Sequence, residues 1–361
     1  MEAMRIPVGG DYDIWLEPIG SAHFAWLREQ QYAGWVVLVD EHTRQHCLPL
    51  IKKELTGVPV VLIEVPAGER FKHLDTCRFI WEEMFRGGVG RRWCCLNLGG
   101  GVLGDMGGFA AATFKRGMDF VQLPTTLLSQ VDASVGGKLG IDFYEVKNSI
   151  GLFANPQAVW VDTRFLRTLP ERELRSGYAE VVKHALIADA EQWRELRDWA
   201  DLTQVDWPAA IARSVRIKRD IVLEDPYERG VRKALNFGHT IGHAVESYFL
   251  HRENRLLHGE GVAMGMITEA WLSGQAGLLG QGAVDEIATY CLSVYGHQTI
   301  PPGCFGELVA LMRQDKKNEA QEINFTFLRG LGAAAVNQTA TVEEITRSLQ
   351  YYNSLGVAVG G

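Results

Sequence analysis

Asn236-Phe237-Gly238-His239-Thr240-Ile241-Gly242-His243 places two imidazoles at i and i+4, on one face of a helix. A third imidazole, His258, follows in Leu257-His258-Gly259-Glu260. A carboxylate, Glu180, sits in an otherwise amphipathic helical pattern with Lys183 one turn on. One carboxylate with two imidazoles leaves open positions on a divalent ion, which is how catalytic zinc is held. A lone histidine is more often a polar core residue than a ligand, so the weight rests on the combination. Spacing alone selects His239 and His243 as the ligand pair.

A second group of residues suits an anion. The segment Leu98-Gly99-Gly100-Gly101-Val102-Leu103-Gly104-Asp105 joins an apolar strand to a helical stretch. Gly99, Gly100 and Gly101 let backbone amides approach a ligand without a Cβ in the way, and the helix N-terminus that follows favours negative charge. A pyrophosphate would fit. The register is not GxGxxG, and a tight turn needing positive φ accounts for the glycines equally well. Upstream, in Val65–Lys72, Glu69 is suited to ribose hydroxyls and Lys72 to a phosphate, although a solvated strand-to-helix connection is the plainer reading on spacing alone.

The elements that must carry these groups change character along the chain. Residues 35–39, 59–63 and 93–98 read as buried strands, with helical spacing over 48–55 and 79–85. Strands alternating with helices predict βαβ units and a parallel sheet. Beyond residue 168 helical patterns dominate, over 171–188, 207–223, 236–248, 260–277, 283–294 and 343–353, with 323–327 the best remaining strand. The division is therefore expected near 165, giving an α/β domain over 1–165 and a mostly α-helical domain over 166–361.

Composition bounds the functional classes. The 361 residues are 47% apolar and 22% charged, an ordinary globular balance, and the formal charge of −8 with pI ≈ 5.7 argues against a broad nucleic-acid footprint. An anionic small molecule remains compatible, because a few cations in one pocket act locally. Cysteines 47, 77, 94, 95, 291 and 304 form no CxxC pair and read as reduced thiols. MEAMRIPVGG lacks the apolar stretch of a secretory signal, and no run of about 18 apolar residues exists. A cytoplasmic protein with no membrane or nucleic-acid partner is expected.

Taken together these segments resemble the 3-dehydroquinate synthases, a branch of the sugar-phosphate cyclase family. The matching text is Pro66-Ala67-Gly68-Glu69 with Lys72, GGGVLGD at 99–105, KRG at 115–117, LPTTLLSQVDASVGGK at 123–138 and KN at 147–148. It continues with RSGYAEVVKH at 175–184, NFGHTIGHAVE at 236–246, LHGEGVAMGM at 257–266 and DKK at 315–317. The resemblance runs from about residue 35 to residue 330, in family order. It implies a dehydroquinate synthase-like fold, with a Rossmann-like nucleotide-binding α/β domain followed by a helical one. It also implies NAD⁺, one Zn²⁺ or Co²⁺, and 3-deoxy-D-arabino-heptulosonate 7-phosphate as substrate.

Carried over by position, the resemblance makes Glu180, His239 and His258 the metal ligands and moves His243 to the substrate phosphate. It puts NAD⁺ on Gly99, Gly100, Gly101 and Asp105, with Glu69, Lys72, Asp40, Thr125, Thr126, Lys147, Asn148 and Thr168 around it. Asp132, Lys138, Asn148, Lys183, Lys218, Glu228, Arg232, Asn236 and His243 become substrate groups, with a lysine of the Lys316/Lys317 pair. Arg116 resembles a residue that reaches the neighbouring subunit's site, which implies a homodimer. Sister cyclases using sedoheptulose 7-phosphate or glucose 6-phosphate would have less use for Arg232 and Lys218, since their substrates lack a carboxylate. A metal-dependent polyol dehydrogenase of related fold would need no phosphate pocket, and a catalytically silent NAD-binding protein would not need every position filled.

Overall fold

The β-branched runs at 35–39 and 59–63 become two neighbouring strands on one side of a seven-stranded sheet, and the second, expected to be buried, is its edge strand, with Val60 and Leu62 exposed. The computed structural model describes residues 3–144, 146–198, 201–250, 252–314 and 322–358. Two compact units emerge: unit 1 is Met1–Leu174 with Trp207–Arg219, and unit 2 is Arg175–Asp206 with Asp220–Gly361.

In unit 1, strands β1 (Met4–Val8), β2 (Tyr12–Leu16), β3 (Gly34–Asp40), β4 (Val60–Val65), β5 (Trp93–Gly99) and β6 (Asp119–Pro124) precede a hairpin of β7 (Lys138–Phe143) and β8 (Val146–Phe153). With β9 (Ala158–Val161) the large sheet takes the order β1-β2-β9-β6-β5-β3-β4, parallel throughout except for the β1–β2 hairpin. Successive side chains of β3 point to opposite faces, and both faces are covered. Trp35, Val37 and Val39 pack with Phe24 and Leu27 of α1 (Ser21–Glu29) and, beyond α2 (Glu41–His46), with Leu48 and Ile51 of α3 (Leu48–Ile51). Val36 and Leu38 pack with Ile80 and Met84 of α4 (Leu74–Arg86) and Leu103 and Met106 of α5 (Gly101–Thr113). Burial of both faces is why these strands read as unbroken apolar runs.

The chain leaves β3 for β4 on one side, then returns to build β5 and β6 on the other. The direction of growth therefore reverses between β3 and β5, and a crevice outside the strand ends opens at such a switch point in open α/β sheets. The glycine run lies there, between β5 and α5.

Unit 2 is built from α6 (Glu171–Ala188) onward from Arg175, α7 (Ala190–Leu196), and α8 (Trp207–Glu224) beyond Arg219. It continues through α9 (His239–Phe249), α10 (His258–Gln275), α11 (Gln281–Tyr295) and α12 (Phe305–Gln314) to a hairpin of β10 (Asn324–Leu328) and β11 (Ala334–Thr339), then α13 (Val342–Ala358). Helix α10 packs against α9, α11, α13 and β10, and Val262, Met266, Ile267 and Ala270 on it are all buried. A helix covered on all sides is apolar all round, which is why this stretch lacks a polar face. Among the described residues no helix is long and apolar enough to cross a membrane.

Several elements differ from the sequence reading. The helix expected over 48–55 is one α-turn, Leu48–Ile51, continued as a 3-10 turn at Lys52–Glu54. The helix expected from 79 begins at Leu74, where the His73 ring accepts the Thr76 amide at 3.4 Å. The helix expected from 236 begins at His239, because Gly238 takes φ +78 and breaks the run from the 3-10 turn Val231–Asn236. Where the sequence divides the chain at 165/166, unit 1 runs on to Leu174 and regains Trp207–Arg219, a long-range return that no local shift in composition marks.

His23 sits beside the rings of Trp15 and Trp160, at 4.9 and 5.0 Å, and burial pushes it down to about 4. The folded chain resists protonating it while the unfolded chain does so near 6.5, so the stability is fully present above that value and falls as pH drops toward 4. A His23→Phe variant, which keeps an aromatic ring but does not titrate, is expected to show a shallower loss of Tm between these pH values.

Candidate functional site

In unit 1 the parallel strands β3, β4, β5 and β6 bring their C-terminal ends, and the residues just beyond them, to one edge of the sheet. Asp40 ends β3 and caps α2, accepting the Thr43 amide at 2.7 Å. Glu69 and Lys72 follow β4, Gly99 ends β5 and Gly100 joins it to Gly101 at the start of α5, and Thr125 and Thr126 follow β6. The Thr125 amide donates to the Gly99 carbonyl at 3.0 Å, tying two of these loops together. A Cβ on Gly100 would stand 3.0 Å from Thr126 Cγ2, and one on Gly101 3.2 Å from Ala133 Cβ, so larger residues would crowd the cradle at the start of α5.

Lys72 is the buried knot of this edge. Its Nζ donates to Asp105 Oδ2 at 2.7 Å and to Asn148 Oδ1 at 2.6 Å. Burial opposes its charge, but Asp105 and Glu69 outweigh that and hold it above the ordinary lysine value. Burial also lifts the Asp105 carboxyl, against the pull of Lys72. Lys147 Nζ stands 3.8 Å from Glu69 Oε1, and Asn148 adopts φ +50 on β8. Thr168 ends a 3-10 turn and donates to the Phe165 carbonyl at 3.4 Å.

Asp132 lies in the irregular turn Ser129–Ala133, where Lys218 of α8 donates to its carboxylate at 2.7 Å and its carbonyl at 2.6 Å. Lys138 is exposed at the start of β7, after Gly136 and Gly137 at φ +100 and +65. Arg116 is exposed, and with Lys115 it takes left-handed φ values of +68 and +48. Lys316 and Lys317 lie outside the described residues.

Unit 2 holds the metal-competent groups. Glu180 on α6 is fully buried; its Oε2 meets Lys183 Nζ, and its Oε1 lies 3.4 Å from Nε2 of both His239 and His258. Burial works to raise Glu180, yet Lys183 and His239 hold it well below the usual carboxylate range. Burial pushes His239 down to about 3, whereas Glu180 and Glu246 carry His258 up to about 10 against its burial. Each imidazole has its other nitrogen engaged: His239 Nδ1 is 3.1 Å from the Phe237 carbonyl and His258 Nδ1 is 3.2 Å from Glu246 Oε2. Their Nε2 atoms are thereby directed toward Glu180. The nitrogens of His239, His243 and His258 also lie within 4.8 Å of one another. A buried anionic oxygen facing two oriented imidazole nitrogens suits one divalent cation.

Close backbone packing brings these groups together. A Cβ on Gly259 would stand 1.9 Å from the Ser176 carbonyl of α6, and one on Gly265 1.8 Å from the Gly238 carbonyl at the start of α9. Glu269 of α10, fully buried, accepts the amides of Gly238 and Ile241 at 2.7 and 3.1 Å and so anchors the turn that presents His239. The preceding segment is held by Asp225, whose carboxylate accepts the amides of Arg229, Gly230 and Arg232. In that segment Glu228 accepts from Asn236 Nδ2 at 2.7 Å, and Arg232 is buried with Nη1 on the Pro226 carbonyl. Sequence reasoning passed over Glu246, Glu269 and Asp225; the signal open to it was a carboxylate inside an apolar helix, as in Met266-Ile267-Thr268-Glu269-Ala270.

Solved sugar-phosphate cyclases share this fold. Over 95% of this chain and 97% of its own, the 2-epi-5-epi-valiolone synthase of Streptomyces hygroscopicus subsp. jinggangensis, solved with NAD⁺ and Zn²⁺, superposes with a TM-score of 0.81 at 27% identity. A 2-deoxy-scyllo-inosose synthase, solved with carbaglucose-6-phosphate, NAD⁺ and Co²⁺, shares the fold at TM-score 0.82 and 23% identity, covering 97% of this chain and 99% of that one. Family models for the 3-dehydroquinate synthase N-terminal and C-terminal domains match residues 62–176 and 177–318. The 3-dehydroquinate synthase of Parabacteroides distasonis is 39% identical over 92% of this chain and 95% of its own length. That of Acidithiobacillus ferrooxidans is 40% identical over 89% and 90%. The chain belongs to the 3-dehydroquinate synthase family.

Proposed function

We propose that this chain converts 3-deoxy-D-arabino-heptulosonate 7-phosphate to 3-dehydroquinate and phosphate, a step of the shikimate pathway, using NAD⁺ and one Zn²⁺ or Co²⁺. The observation that carries the proposal is the buried Glu180 carboxylate, with the Nε2 atoms of His239 and His258 each 3.4 Å from Oε1. NAD⁺ in two structural neighbours, with Zn²⁺ in one and Co²⁺ in the other, supports the same cofactors here.

When bound, NAD⁺ supplies reversible hydride exchange at the C5 alcohol and the cation supplies Lewis acidity at the substrate hydroxyls. Glu180, His239 and His258 hold the cation. Gly99–Gly101 and Asp105 receive NAD⁺, and the Lys72 network with Glu69, Lys147 and Asn148 stiffens the same edge. Asp40, Thr125, Thr126 and Thr168 complete the cofactor contacts. Lys138, Asn148 and His243 bind the phosphate. Arg232 grips the carboxylate in bidentate fashion, which a lysine does not, with Lys218 beside it. Asp132, held by Lys218, orients a hydroxyl and relays its proton, while the departing phosphate takes the proton of the elimination. Lys183, Glu228, Asn236 and one of Lys316 and Lys317 contact the remaining substrate oxygens.

The homodimer, with Arg116 reaching its partner's site, belongs to this reading, as does a cytoplasmic location. The exposed, left-handed Arg116 supports the first and six free cysteines the second. Product analysis by mass spectrometry across three substrates tests the assignment. 3-Dehydroquinate from the heptulosonate phosphate is expected, with neither sedoheptulose 7-phosphate nor glucose 6-phosphate turned over. Cyclised product from either of the others, and none from the first, would move the chain to a sister cyclase.

A further inference from the structure

We infer that Glu246 is the positioning residue for His258, holding the tautomer in which Nε2 offers its lone pair to the cation; this rests on the ligand set proposed above. Glu246 lies on α9, seven positions after His239, and is 6% exposed. His258 opens α10 and directs Nδ1 at Glu246 Oε2 over 3.2 Å. A carboxylate accepts only, so Nδ1 donates the hydrogen and Nε2 is left as the ligand atom. The same logic fixes His239, whose Nδ1 donates to the neutral Phe237 carbonyl at 3.1 Å.

The two holders differ in a way that matches the two rings. The His239 side chain is 10% exposed and is kept in place by packing as well as by its carbonyl. The His258 side chain is 26% exposed and has more room to rotate about its own bonds. The more accessible ring therefore carries the stronger, charge-assisted hydrogen bond, which also makes its Nε2 the better electron donor.

The test compares Glu246→Ala, Glu246→Gln and His258→Ala as full-length proteins. Zn²⁺ affinity is measured by competition with a chromophoric chelator, and Co²⁺ binding by its visible absorption bands. Glu246→Ala is expected to weaken Zn²⁺ binding by about 10- to 100-fold and to shift the Co²⁺ bands. Glu246→Gln keeps an acceptor without the charge and is expected to weaken binding by a smaller factor, about 3- to 10-fold. The metal-free Glu246→Ala protein is expected to melt somewhat lower, since the Glu246–His258 pair is lost, but the Co²⁺ bands report the ligand field directly and separate positioning from a merely structural role. Wild-type affinity in Glu246→Ala, with metal lost in His258→Ala, would overturn the role of Glu246 alone. Metal retained in His258→Ala would overturn the ligand set beneath it. Should Glu246→Ala fail to fold, the Glu246→Gln affinity and spectrum decide.

Discussion

Replacing His258 with alanine is expected to strip the divalent cation and to lower turnover by at least about 1000-fold, some 4 kcal/mol of barrier. The fold should survive. The ring is 26% exposed at the N-terminus of α10, so truncating it opens no closed cavity in the core. Glu180 is a poorer probe, since its removal would strand the buried Lys183 ammonium and cost about 3–5 kcal/mol by itself. Metal content by mass spectrometry, circular dichroism and steady-state rates on one preparation separate the two effects. Full activity in metal-depleted His258→Ala protein would contradict the account.

Gly265→Ala is expected to destabilise unit 2 by about 3 kcal/mol or more. The added methyl would stand 1.8 Å from the Gly238 carbonyl oxygen and 2.9 Å from the Gly242 amide nitrogen, both backbone atoms that cannot rotate away. Helices α9 and α10 would have to separate, carrying His239 away from Glu180, so metal affinity should fall together with stability. Gly282→Ala on α11 is the control, because nothing lies within 4 Å of its added Cβ. A thermal melt reads the difference: a drop of about 6 °C or more for Gly265→Ala, against little change or a small gain for the control. Equal melting of the two variants would show that the close crossing of α9 and α10 is not required.

The sequence was legible where one local rule decided the outcome. The runs at 35–39 and 93–98 could be read as central strands because burial of both faces leaves no polar alternation. The hairpins β1–β2 and β7–β8 were missed because one face of each strand carries polar or exposed residues and the runs are short. Around the metal-competent cluster, spacing marks residues on one helix and nothing across helices. It selected His239 and His243, whereas His258, on a different helix, stands beside Glu180 only because Gly259 and Gly265 let α10 approach α6 and α9. The resemblance to a known family supplied His258. The roles of Glu246, Glu269 and Asp225 depend on hydrogen bonds to atoms on neighbouring turns, which no spacing rule anticipates. The Lys218–Asp132 pair, 86 positions apart, is of the same kind.

The most direct test of the whole account is phosphate release from 3-deoxy-D-arabino-heptulosonate 7-phosphate with trace NAD⁺, with and without a chelator, while absorbance of NADH is followed. Chelator-sensitive release that proceeds for many turnovers per NAD⁺ with no build-up of NADH is the expected result, since the cofactor is regenerated in each cycle. Steady accumulation of NADH, or release that is indifferent to the chelator, would contradict it.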